Sequence, residues 1–165
     1  MSELEKAQSA YEGFLEEFES AIIGTVSDQG IPNASYAPFV MDESKNIYIY
    51  VSGLSTHTKN LSDNPHVSVM FIEDEAQTNQ IFGRRRLNFD CTATLIERET
   101  ENWNKIVEQF QERFGQIIEI LRSLPDFRIF QLTPQSGRFV AGFGSIYNIN
   151  GNNLDQLVQI TGDKQ

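Results

Sequence analysis

Two histidines, one cysteine and a run of three arginines are the residues of this 165-residue chain best equipped for chemistry. His57 stands among Ser52, Ser55, Thr56, Thr58, Lys59 and Asn60, a concentration of hydroxyls with one cation at the end of an aromatic-bearing stretch. Hydroxyls and backbone amides at a helix start suit a phosphate or carboxylate, and an ordinary capped loop would have the same composition. Arg84, Arg85 and Arg86 concentrate positive charge in an acidic chain. Arginine at a strand mouth suits bidentate contacts to such anions; ion pairing to Glu73, Asp74 or Glu75 is the alternative. On a strand, Arg84 and Arg86 would share one side and Arg85 the other. Gly142-Phe143-Gly144, beside Phe139 and Tyr147, allows either a close approach of backbone to a planar ring or a plain hairpin turn. His66 follows Pro65 at the head of a strand and reads as structural. Cys91 alternates with apolar neighbours and reads as an inert core thiol. Neither a hydrolase triad signature, a nucleotide-phosphate loop, a dinucleotide fingerprint nor a zinc pattern occurs. Motifs therefore name no catalytic residue and no metal site.

The elements that must position these residues follow from periodicity. Leu4, Ala7, Tyr11, Phe14, Leu15 and Phe18 recur at helical spacing, which predicts an amphipathic helix over residues 3–19. Residues 20–27 (SAIIGTVS), 33–41 (NASYAPFVM), 46–52 (NIYIYVS) and 66–72 (HVSVMFI) read as strands with short turns between them. Pro38 lacks a backbone donor and places its strand at an edge or interrupts it. A short helix capped by Ser55 or Thr56 and closed by Pro65 fits between the third and fourth strands. Residues 86–98 are expected to form the longest strand, with Leu87, Phe89, Cys91, Ala93 and Leu95 on one face. A helix pair is expected over residues 101–123, then short strands at 127–132, 137–140 and 145–149. The polar tail from residue 151 keeps Leu154, Leu157, Val158 and Ile160, so it folds back or docks on a partner. The first four strands leave no room for helical crossovers, which points to an antiparallel barrel with flanking helices rather than a parallel sheet.

Totals narrow the function classes. The 39% apolar content and twelve phenylalanines support one core, and a single domain over residues 1–165 is expected. The net charge of −10 argues against nucleic-acid binding through phosphate neutralisation. With a single cysteine, an intramolecular disulfide is excluded. Neither a signal-peptide pattern nor a membrane-length apolar run is present, so a reducing cytoplasm is the expected compartment.

The ordered segments SYAPFV (35–40), STHTKNL (55–61), NPHVSVMFIEDE (64–75), RRRLNFDCTATLIER (84–98), ERFGQIIEIL (112–121), PDFRIFQL (125–132) and FVAGFGSIYNI (139–149) cover nearly the whole chain. In that order they resemble the heme-utilisation branch of the pyridoxamine 5'-phosphate oxidase-like, FMN-binding split-barrel superfamily. The resemblance implies a six-stranded antiparallel split barrel, built as a homodimer with ligand pockets at the subunit interface. By position it implies an FMN phosphate cradle of Ser52, Ser55, His57, Thr58, Lys59 and Asn60, with Arg86 as a basic neighbour. Tyr36, Ala37 and Pro38 would edge the isoalloxazine. In the heme-utilisation branch the implied ligand is heme, with Arg86 near its propionates and Asp126 orienting an iron-ligating histidine close to the C-terminus. Residues 161–165 (TGDKQ) carry no histidine, a departure from heme-degrading members. The main expectation is thus an FMN-binding protein, as a flavin-dependent oxidoreductase. The alternatives are a heme-binding or heme-degrading protein of iron utilisation and a non-enzymatic binding module.

Overall fold

The computed structural model describes residues 1–160. Helix α1 (Glu3–Phe14) begins at Ser2, whose side chain accepts from the Glu5 amide, and buries Ala7, Tyr11 and Phe14. Strands β1 (Ser20–Val26), β2 (Pro32–Met41) and β3 (Ile47–Val51) follow, then helix α2 (Thr56–Asp63), strand β4 (His66–Ile72) and strand β5 (Arg86–Ile96). Helices α3 (Glu101–Phe114) and α4 (Ile117–Ser123) precede strands β6 (Arg128–Gly142), β7 (Ser145–Asn150) and β8 (Asn153–Gln159). All neighbours pair antiparallel in the order β3-β2-β1-β4-β5-β6-β7-β8, and β3 also pairs with β6. That last pairing closes six strands into a barrel. Beyond it β6 continues, exchanging β3 for β7 along its free edge, with Ile47 to Val51 against Leu132 to Arg128 and then Ser145 to Asn150 against Gly142 to Ser136.

Alternation explains the two cores. Ile23, Phe39, Ile47, Ile49, Val69, Phe71, Leu87, Phe89 and Phe139 point into the barrel, where Phe14 and Tyr11 of α1 close one end. β3 is buried on both faces. Its Tyr48 and Tyr50 lie outside the barrel, beneath Trp103, Ile106, Val107, Phe110 and Ile118 of α3 and α4. Arg113 anchors that helix layer by donating to the carbonyls of Phe39 (3.0 Å) and Phe18. Cys91 is buried in the barrel, and burial pushes its thiol pKa up to about 12, as expected of an inert core position.

Three expectations change. The strands anticipated at 127–132 and 137–140 are one strand, β6, which at 15 residues replaces 86–98 as the longest and passes Thr133-Pro134 through a register shift opposite Asp90 and Cys91. An irregularity in the ladder accommodates a residue without an amide hydrogen. β2 runs unbroken through Pro38, because Pro38 stands where β2 passes from pairing with β1 to pairing with β3. β5 begins at Arg86, so Arg84 and Arg85 precede the strand, and the side-sharing of Arg84 and Arg86 does not apply. The tail folds back: β8 pairs with β7, and Gln8 of α1 bonds to the Asp155 carbonyl and the Leu157 amide on the free edge of β8.

Candidate functional site

The pairing of β2 with β3 covers only Phe39 to Met41, so residues 33–38 of β2 lose their neighbour on that side. After Val51 the chain turns away through Ser52 to Ser55 and enters α2. The space between forms a groove of about 600 Å³, with Ser35, Tyr36, Ala37 and Pro38 on one wall and Ser52, Leu54, Ser55 and His57 on the other. Gly53 is required at this turn. A Cβ there would meet the Asp126 carbonyl oxygen at 2.7 Å. Asp126 in turn accepts from Ser52 Oγ at 3.4 Å, which joins the start of β6 to the groove wall.

His57 sits in the first turn of α2, and its Nδ1 lies 2.7 Å from Ser35 Oγ. Only 9% of its surface is exposed. Burial lowers its pKa below the ordinary histidine value, which holds the imidazole neutral at pH 7. Across the groove Tyr36 is 68% exposed, and on the His57 wall Leu54 is 92% exposed. The site therefore joins a neutral, hydrogen-bonded imidazole to large uncovered apolar surfaces, an arrangement suited to a flat, largely apolar ligand.

Six of the ten residues singled out from the sequence meet here: Tyr36, Ala37, Pro38, Ser52, Ser55 and His57. The other four point elsewhere. Thr58 is fully buried and its hydroxyl donates to the Ser52 carbonyl. Asn60 turns inward and donates to Thr25 Oγ1 at 3.0 Å. Lys59 is exposed on the opposite side of α2, where a 2.7 Å bond to Asp63 raises its pKa. A helix places residues at positions 57, 58, 59 and 60 on different faces, so a contiguous run cannot converge on one ligand. Arg86 lies at the start of β5 and donates to the Arg84 carbonyl at 2.9 Å, outside the groove lining.

The arginine run takes its ion-pairing alternative in part. Arg85 binds Glu73 through Nε at 2.9 Å, and Arg84 Nη1 stands 3.7 Å from Glu75. Their side chains line a second cavity of about 570 Å³ with Ile22, Tyr36, Met70 and Ile72. Ser35 and Tyr50 were missed as groove residues. Ser35 shares a strand face with Ala37, one of the residues singled out, but that β2 has no neighbour there is visible only in the structure. Tyr50 borders the groove, and its hydroxyl is buried without a hydrogen-bond partner among the described residues. Residues 161–165, where the resemblance placed a terminal histidine, lie outside the described residues.

The sequence profile of the pyridoxamine 5'-phosphate oxidase family matches residues 7–141. The chain is 43% identical over 147 residues to the heme oxygenase HutZ of Vibrio cholerae, spanning 89% of this chain and 83% of that protein. The crystal structure of Vibrio cholerae HutZ, described there as a heme storage protein, matches with a TM-score of 0.73 and 42% identity over 76% of this chain and 88% of that one. Campylobacter jejuni ChuZ matches with a TM-score of 0.84 and 31% identity over 97% of this chain and 64% of that one.

Proposed function

This chain belongs to the pyridoxamine 5'-phosphate oxidase family, within its heme-utilisation branch, and from that premise we propose that it binds heme in the groove between β2 and α2. The observation that carries the proposal is a buried His57, hydrogen-bonded to Ser35, beside the uncovered faces of Tyr36 and Leu54. A porphyrin needs apolar surface for its ring, and neutral imidazole is a common ligand for its iron. Tyr36, Pro38 and Leu54 would hold the ring, and His57, with Nδ1 engaged by Ser35, would present Nε2. When bound, heme supplies iron-centred redox chemistry, while the chain's own residues bind, orient and exclude water.

FMN, the main expectation from the sequence, has less support. Two of the groups offered to its phosphate, the Thr58 hydroxyl and the Asn60 amide, are engaged inside the chain, and Lys59 is paired with Asp63. What remains at the helix start is Ser52, Ser55 and His57, which is a thin cradle for a dianion. The relatives named for heme also favour this reading over a flavin oxidoreductase. A homodimer is part of the proposal. Ile22, Tyr36, Met70 and Ile72 form an apolar strip on the outer face of β1, β2 and β4 with none of the helices α1 to α4 of the described residues over it. Tyr36 belongs to both that strip and the groove, so a second copy seated on the strip would wall the ligand in.

The test is a spectroscopic titration of the purified protein with hemin, run beside one with FMN. One hemin per chain with a saturable Soret band, against no saturable flavin signal, is the expected result. Protein that takes up FMN stoichiometrically and leaves hemin unbound would reverse the assignment. Sedimentation at micromolar concentration should give a dimer; a monomer that still binds hemin would remove the interfacial component. Adding a reductant to the loaded protein and following loss of the Soret band tests whether heme is also degraded.

A further inference from the structure

On the outer face of the sheet, strand register lines up one residue from each of three consecutive strands. Asn88 of β5 is opposite Arg138 of β6, and Arg138 is opposite Asn148 of β7. Side chains in one such row are about 5 Å apart from strand to strand. The row lies in a recess of about 430 Å³ that Ser68, Asp90, Ser136 and Asn150 also line. It sits where β6 has left β3 and continues beside β7, away from the groove between β2 and α2. Gly137 keeps the register tight. A Cβ at that position would meet the Phe89 ring at 2.7 Å and the Asn88 carbonyl oxygen at 2.9 Å.

Arg138 is notable for what it does not touch. Arg84 and Arg85 are each matched by a carboxylate and Arg86, Arg98 and Arg113 donate to backbone carbonyls, whereas Arg138, like Arg122 and Arg128, makes no ion pair among the described residues. The one acid in the recess, Asp90, stands in the neighbouring row opposite Ser136 and accepts from Ser136 Oγ at 3.3 Å. An unmatched guanidinium flanked on both sides by carboxamides, in a chain of net charge −10, is a local concentration of donors: a planar fork with two NH₂ groups beside it.

We propose that the Asn88–Arg138–Asn148 row is an oxyanion-binding subsite that takes a phosphate or carboxylate group. Arg138 supplies the charge and a bidentate contact, and the two asparagine amides donate from either side. The neighbouring row, with Ser68 and Ser136, bounds the recess and limits the anion to a small group.

The experiment follows the Arg138 Nε–H and the asparagine side-chain amides by ¹H–¹⁵N NMR while inorganic phosphate, and separately acetate, is added to the full chain. The subsite predicts saturable shifts of Arg138, Asn88 and Asn148 with at least one of the two anions, and the better one identifies the preferred group. Arg138→Gln should weaken that anion by about tenfold or more, the loss of a charge-assisted pair of bonds. Arg138→Lys, which keeps charge without the fork, should fall between. Asn88→Asp places a carboxylate opposite Arg138 and should abolish anion binding while leaving the melting temperature unchanged or higher, which separates occupancy from misfolding. Shifts that rise linearly with both anions, or that persist in Arg138→Gln, overturn the proposal. An Arg138→Gln protein that changes its oligomeric state with no change in anion affinity assigns the residue to a subunit contact and overturns it equally.

Discussion

Replacing Ser35 by alanine tests whether His57 is held ready for a ligand or is merely buried. A neutral imidazole carries one proton, so one ring nitrogen donates and the other accepts. With Nδ1 2.7 Å from Ser35 Oγ, a proton on Nδ1 is satisfied by the hydroxyl and leaves Nε2 with its lone pair free. Ser35→Ala removes that acceptor from a histidine only 9% exposed. The net worth of such a bond is about 0.5–1.5 kcal/mol, which at room temperature is roughly a two- to tenfold change in an equilibrium constant. Hemin affinity should fall by that factor in Ser35→Ala, be restored in Ser35→Thr, and fall further in His57→Ala, with a shifted Soret maximum in the last. The ¹⁵N shifts of the His57 ring should show the tautomer moving from Nδ1–H toward Nε2–H in the alanine variant. Unchanged hemin affinity together with an unchanged tautomer in Ser35→Ala would refute the reasoning, since the hydroxyl would then neither orient the ring nor prepare its nitrogen.

The other predictions concern stability. Burial lowers the His57 pKa in the folded chain, so between that value and the unfolded value near 6.5 the unfolded chain binds more protons. The contribution is fully present above pH 6.5 and is lost as the pH falls through the folded pKa; urea melts at pH 8 and pH 5 should show the decline, and His57→Gln should flatten it. Gly83→Ala would drive a Cβ into the Phe143 backbone and should cost about 1–3 kcal/mol through overpacking between the 81–83 turn and the β6–β7 hairpin. Gly13→Ala, on α1 with nothing within 4 Å, should instead stabilise by about 0.5–1 kcal/mol, and thermal melts of the pair give opposite signs.

The barrel was legible because its signals are local. Alternation in residues 47–51 and 66–72 and turn residues between the early strands already required antiparallel neighbours. The helix pair was legible from the spacing of Trp103, Ile106, Val107 and Phe110, which the structure buries together. What escaped was the continuity of β6. Pro134 looks like a break in the sequence, and only the ladder of β5 on the other side reveals that the strand survives it. The site divided in the same way. His57, Ser55 and Tyr36 were visible as residue types, but whether Thr58, Lys59 and Asn60 face the same way depends on the phase of α2, which composition does not carry. Ser35 became part of the site only once β2 was seen to outrun β3.

The capture of β8 by α1 bears on the order in which the chain can fold. Tyr11 donates to the Leu154 carbonyl, and Gln8 bonds to Asp155 and Leu157, so contacts of the first helix are separated by more than 140 residues from their partners. During synthesis α1 emerges first and must wait for β8, and β3 must likewise wait for β6 to close the barrel. Such long loops make for slow, late closure. In the interval Tyr11 and Phe14 have only part of their native packing. Of the elements described, the segment that finally shields the edge of β8 thus waits longest for its partner strand, and its acidic residues give it charge during that wait.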